Sequence, residues 1–201
     1  MPRLSVAQLR DRQESILDAA EYVMVRGGFA EASIADVARK AAVSDGLIYR
    51  YFPGKQALRD AVLARFYQRV LRAAETAVAA EADFSARLLA LIETHLTVLA
   101  NDRALCRLFI AEVRVAAGYA GSALQGLNRR YTGILVKLLR QGMAEGEVVA
   151  GADPYLVRDM LYGGMEHLAW RGLTGGASLD VSRAAQRIHR LLLDGLAPER
   201  P

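Results

Sequence analysis

The chain has 201 residues, 53% of them apolar, with 26 basic and 22 acidic side chains for a formal net charge of +4. That length buries a sizeable core, and the small positive excess permits a polyanionic partner without requiring one. The single cysteine, Cys106, excludes an internal disulfide, and no apolar run approaches the ~18 residues of a membrane span.

Histidines are scattered without metal-ligand spacing, so neither a metal nor a cofactor is expected. Cys106 reads as a buried structural thiol. The opening Met1-Pro2-Arg3-Leu4-Ser5 lacks the charged-then-apolar pattern of a secretory leader, and a cytoplasmic location is expected.

Strand-type alternation is nearly absent, and glycine, proline and capping residues punctuate the chain into roughly nine helices, an all-α fold. Ser5 with Gln8 forms a capping box for a first helix with Leu9, Ile16, Leu17, Ala20, Val23 and Met24 on one stripe, stopped at Gly27-Gly28. Arg3, Arg10 and Arg12 near its start read as ordinary solvated charges. Ser33 and Ser44 start two short helices, and Pro53-Gly54 opens a fourth over 55–80 with Leu58, Val62, Phe66, Val70 and Ala74 on one face. Asp83 caps a helix to about 100, and Asn101 or Asp102 caps another to about 117. Gly118, Gly121 and Gly126 precede a helix carrying Leu127, Tyr131, Ile134, Leu135, Leu138 and Leu139. Asp153-Pro154 starts a helix to about 171. Asp180 precedes a last helix, with Ala184, Ala185, Ile188, Leu191 and Leu192 inward and Arg183, Arg187 and Arg190 outward.

Residues 33–52 read SIADVARKAAVSDGLIYRYF. They form two short helices across a tight turn, each too short to stand alone. Ile34, Val37, Ala38, Val43, Leu47 or Ile48, and Phe52 must hold them against the first helix. Small Ala38 allows the close approach that a helix-turn-helix needs. Ser44, Asp45, Tyr49, Arg50 and Tyr51 are left to point away, where the second helix would enter a major groove.

From Arg12 to Leu58 the chain resembles the head of the tetracycline-repressor family. The resemblance rests on Ile16-Leu17-Asp18-Ala19-Ala20, Gly27-Gly28-Phe29, Ser33-Ile34-Ala35-Asp36-Val37-Ala38, the run Ala41 to Phe52, and Lys55 and Leu58. It implies a three-helix DNA-binding head over 1–54 and a larger helical ligand-binding and dimerisation domain over 55–201. It further implies a ligand-responsive regulator, a repressor released from a palindromic double-stranded operator by a small apolar or amphipathic effector. Position by position it assigns Ser33, Ser44, Tyr49, Tyr51 and Lys55 mainly to phosphates, with Tyr49 able to serve either phosphates or bases. Asp45, Gly46, Leu47 and Arg50 fall where such proteins face bases. Two positions depart from the family pattern. Ala42 stands where glycine is usual, and a left-handed backbone there costs roughly 1 kcal/mol. Asp45 is an acid facing a polyanion, suited only to a cytosine amino group or to the helix N-terminus.

The resemblance also implies a homodimer through the last two helices. The residues support this independently: 155–170 are apolar almost all round, with Gly163-Gly164 in mid-helix, where close backbone approach offsets the cost of glycine. Leu156, Met160, Gly163, Gly164, Leu168, Ile188, Leu191 and Leu192 form the expected interface. Expected effector contacts are His95, Arg107, Phe109, Tyr131, Tyr162, Met165 and Trp170. Stretches 101–109 and 162–166 resemble family members that respond to fatty acyl thioesters.

Two other functions stay open. An all-α enzyme would need a nucleophile–base pair, a phosphate loop or paired carboxylates, and no such spacing appears. A helical adaptor without DNA binding draws support from Asp45 and from a nearly neutral head: residues 1–60 hold nine basic and eight acidic side chains, against eleven and six in 61–140.

Overall fold

A computed structural model describes residues 5–176 and 178–196. Local caps place most helix starts. In α1 (Val6–Gly27) the Ser5 hydroxyl accepts from the Gln8 N–H at 3.2 Å and Gln8 Oε1 accepts from the Ser5 N–H at 2.9 Å. Ser33 caps α2 (Ile34–Ala41) and Ser44 caps α3 (Asp45–Tyr51). Gly54 leads into α4 (Lys55–Ala79), and Asp83 caps α5 (Phe84–Asn101) through the Ala86 N–H at 2.8 Å. Then come α6 (Arg103–Leu108), α7 (Ala123–Glu145), α8 (Pro154–Leu173) and α9 (Val181–Leu196). At α8, Asp153 accepts from Tyr155 and Leu156, with Pro154 at the first helical position.

Two expected boundaries move. The helix expected to run to about 117 ends as α at Leu108 and continues as one π-helical turn, Phe109–Val113, in which the Arg114 N–H reaches the Phe109 carbonyl at 2.8 Å. The next helix begins a turn before Leu127, because the Ser122 hydroxyl accepts from the Gln125 N–H at 3.1 Å and Gly126 joins the first turn.

Helices α1–α3 make the head. From it α4 runs into the body and packs on α5 and α7, with α8 against α5 and α7 and α9 along α5. Leu88, Leu91, Ile92 and Leu96 of α5 are fully buried, each contributing about 1.5–3 kcal/mol. One apolar core continues from Ile16 and Ile48 through Leu58 to Leu139. A Cβ on Gly142 would meet Val148 at 2.8 Å and Phe84 at 3.0 Å, so glycine lets the end of α7 seat on the start of α5.

Leu191 corrects an expectation: it is not inward in this chain but 75% exposed, while Ala185 is buried and Ile188 and Leu192 are half-buried against the core. Ion pairs also clasp α4 to the head along α1. Glu14, Asp18 and Glu21 line one face of α1 and receive the Arg65 guanidinium at 3.2, 2.7 and 2.7 Å. Arg69 joins Glu21 at 3.4 Å to Asp102, beside the start of α6, at 3.6 Å. Glu14 and Asp18 are largely exposed and add little, so the half-buried Arg65–Glu21 pair carries most of this clasp, about 1 kcal/mol. Arg10 and Arg12 are exposed on α1; Arg3 lies outside the described residues.

Candidate DNA-reading face and ligand cavity

The head is fixed locally. The Ser33 hydroxyl accepts from the Asp36 N–H at 3.1 Å and donates to Asp36 Oδ2 at 2.6 Å. That hydroxyl, with help from Arg39, holds the Asp36 carboxyl below its ordinary value. The turn after α2 closes through Ala42 at φ 53, ψ 46, the one non-glycine residue with positive φ among those described. The left-handed backbone anticipated there is present, in a residue with a Cβ, at about 1–2 kcal/mol. Val43 then returns its N–H to the Ala38 carbonyl at 3.0 Å.

Of the two apolar candidates in α3, Ile48 is the anchor, wholly buried, and Leu47 is half-buried. Anchoring Ile48 turns Asp45, Gly46, Tyr49 and Arg50 outward; Tyr49 is 55% exposed. Space around Gly46 is open, so another surface can approach its backbone. Ser33 and Ser44 are exposed at their helix starts. Tyr51 instead packs half-buried beside Phe52, ring centroids 6.5 Å apart. The Lys55 ammonium donates to the Ala30 carbonyl at 2.8 Å and lies 4.6 Å from the Phe29 ring centroid, so a phosphate would have to share it.

In the body, α4 to α8 enclose a cavity of about 410 Å³, within the range of small-molecule sites. Its buried wall includes Tyr67, His95, Cys106, Phe109, Tyr131 and Tyr162. His95 Nδ1 lies 2.9 Å from the Tyr131 hydroxyl, and Tyr67 donates to Asn128 at 3.1 Å. Burial pushes the His95 imidazole down to about 3, so it is neutral at physiological pH. Burial also pushes the Cys106 thiol up to about 12; its sulfur contacts the Val98 carbonyl at 3.7 Å, as an inert packing residue does.

Arg114, just past the π turn, grips Glu166 of α8 through two bonds of 2.8 Å. Exposed Arg129 and half-buried Arg158 stand at the rim, where a groove with Lys137, Arg140 and Tyr155 begins. Arg140 donates to the Tyr155 hydroxyl at 3.1 Å, and Arg140 and Arg158 lie 5.4 and 5.1 Å from its ring centroid. An aromatic wall with a few buried polar atoms, beside a rim where Arg129 and Arg158 outnumber Asp159 (paired with Arg158 at 2.7 Å), suits an amphipathic anion.

Of the expected effector contacts, His95, Phe109, Tyr131 and Tyr162 meet in this cavity. Arg107 is exposed and outside its lining, Trp170 is 40% exposed, and Met165 is buried without lining it. Sequence reasoning missed Arg114 and Glu166, whose pairing across separate elements leaves no periodic signal. On the outer face, Leu156, Met160 and Leu168 of α8 are 57%, 68% and 51% exposed, beside exposed Gly163 and Gly164. Apart from their own helix, nothing among the described residues lies within 4 Å of a Cβ built on either glycine.

A model of bacterial regulatory proteins of the tetR family matches residues 16–62, and one of the C-terminal region of YsiA-like proteins matches 64–195. The fatty acid metabolism regulator protein of Bacillus subtilis is 24% identical over 189 residues, 94% of this chain and 97% of that protein. The HTH-type transcriptional repressor KstR2 of Rhodococcus jostii is 25% identical over 190 residues, 92% and 91% of the two chains. Among solved structures, the fatty acid degradation regulator FadR of Bacillus halodurans superposes with a TM-score of 0.79 at 26% identity, over 91% of this chain and 98% of the other. FadR of Bacillus subtilis, solved with stearoyl-CoA, gives 0.80 at 24% over the same shares and speaks for the fold. No helix among the described residues is long and apolar enough to cross a membrane. With the head and most of the body matched, the chain belongs to the tetR family of bacterial regulatory proteins and is a helix-turn-helix transcription regulator.

Proposed function

We propose that this regulator is a cytoplasmic homodimeric repressor that an amphipathic acyl thioester releases from a palindromic operator. The observation that carries the effector class is the aromatic cavity opening onto Arg129, Arg158, Lys137 and Arg140. The acyl chain occupies the wall formed by Phe109, Tyr67 and Val70, and the anionic thioester headgroup lies along the cationic groove. Similarity to a protein solved with stearoyl-CoA supports the same class.

The exposed face of α3 enters the major groove. Asp45, Gly46, Leu47 and Arg50 face bases, with Ser33, Ser44, Tyr49, Tyr51 and Lys55 on phosphates. Leu156, Met160, Gly163, Gly164 and Leu168 of α8 pair across a two-fold axis with Ile188, Leu191 and Leu192 of α9. Two heads must then sit about one duplex turn apart, ~34 Å, and a small change at α4 in each subunit spoils simultaneous docking.

Reciprocal titration tests this. A long-chain acyl-CoA should weaken operator binding tenfold or more, about 1.4 kcal/mol of coupling, with the dimer intact. Operator must weaken acyl-CoA binding by the same factor; equal affinity with and without operator sinks the proposal.

A further inference from the structure

The cavity wall holds polar groups that packing leaves unused. Pairing of His95 Nδ1 with Tyr131 leaves His95 Nε2 and the Tyr162 hydroxyl buried with no hydrogen-bond partner among the described residues. The two rings meet edge to face with centroids 4.8 Å apart, and both side chains line the cavity. Buried polar groups in native proteins are nearly always satisfied. Two unused ones on adjoining side chains of one cavity mark where a ligand atom belongs. Building on the acyl-thioester reading, we propose that the effector carries an uncharged oxygen, a hydroxyl or carbonyl, at its buried end, and that His95, Tyr131 and Tyr162 select it over a plain hydrocarbon chain.

Hydrogen-bond chemistry sets the class. When the Tyr131 hydroxyl donates to Nδ1, His95 Nε2 carries the proton and donates; when Nδ1–H donates to Tyr131, Nε2 accepts. The Tyr162 hydroxyl donates or accepts in both cases. A ligand hydroxyl satisfies either tautomer, and a carbonyl oxygen accepts from the Tyr162 hydroxyl in both. A carboxylate does not fit, because the imidazole is neutral and the Arg114 guanidinium of this cavity is committed to Glu166. A saturated tail would seal both polar groups away dry. Sites built to hydrogen-bond a substrate group reject the analogue lacking it far more strongly than apolar pockets reject an added oxygen.

The test is calorimetric titration of wild type and Tyr162→Phe with decanoyl-CoA and its terminally hydroxylated counterpart, and with the two corresponding free acids. Wild type should bind the hydroxylated thioester at least tenfold tighter, about 1.4 kcal/mol. Tyr162→Phe should lose most of that preference while still binding decanoyl-CoA. Equal wild-type affinities, or a preference unchanged in Tyr162→Phe, overturn the tail-oxygen proposal and leave the thioester reading standing. Discrimination between the free acids, with no binding of either thioester, supports the tail-oxygen proposal and overturns the thioester reading. Binding of none of the four overturns both. Wild-type discrimination needs no variant, so misfolding of Tyr162→Phe cannot hide the answer.

Discussion

Head and body carry their chemistry on opposite sides of their helices. In the head, Ile48 faces in so that Asp45, Gly46, Tyr49 and Arg50 face out, and each helix start is set by a serine three residues from its partner N–H. In the body the chemistry faces in, and the partners come from distant segments: His95 with Tyr131, Arg114 with Glu166. The outward site can therefore be altered with little cost in stability, whereas altering the inward one disturbs the core that holds it.

The largest expected effect separates the two heads of the proposed dimer. Leu191→Glu or Met160→Glu, on exposed positions outside the chain's own core, should give monomers whose operator affinity falls by about two orders of magnitude or more. Sedimentation that finds both variants dimeric would remove α8 and α9 as the interface.

Next, inward chemistry should appear as a pH dependence of stability. His95 has a folded pKa of about 3, below the ordinary value of 6.5, so the unfolded state takes up the proton first. Its contribution is complete above about pH 6.5 and is lost as pH falls toward 3, at up to roughly 1.4 kcal/mol per pH unit. His95→Gln should flatten that slope in denaturant melts at stepped pH, and parallel profiles of the two proteins would refute it.

The outward chemistry should appear in DNA binding without a change in folding. Lys55→Ala and Tyr49→Phe should each weaken binding several-fold on cognate and random duplexes alike, and the lysine change should lower the salt slope by about one. Loss of affinity on cognate DNA alone would move these residues from phosphates to bases.

The smallest effect is local. Ala42→Gly removes the left-handed cost of about 1–2 kcal/mol but adds roughly 0.5–1 kcal/mol of unfolded-chain entropy, leaving a net gain of about 0.5–1 kcal/mol. A chemical melt showing destabilisation would mean that the alanine methyl packs usefully.

Legibility follows the same division. Ser5, Ser33, Ser44, Asp83 and Asp153 act within three residues of themselves, so helix starts and the head could be read from local pattern. Choosing between Leu47 and Ile48 needed the packed helix, because both fit an apolar stripe. In the body, an aromatic in a helical stripe looks the same whether it lines a cavity or fills a core. His95, Phe109, Tyr131 and Tyr162 were thus found alongside Arg107, Met165 and Trp170, which lie outside the lining. The cationic groove joins α7 to α8: Arg129, Lys137 and Arg140 share one stripe of α7, and only the packed fold brings Tyr155 and Arg158 beside them.

The π turn at Phe109–Val113 stores one residue of slack in a helix that lines the cavity. Drawing that slack out by tightening the turn to α geometry would swing Arg114 about 100° around the helix axis. Its fork would leave Glu166 and so untie this turn from α8. Such a slip is one residue or none. It would act as a ratchet tooth rather than a spring, and cavity filling would reach the rest of the body in a discrete step.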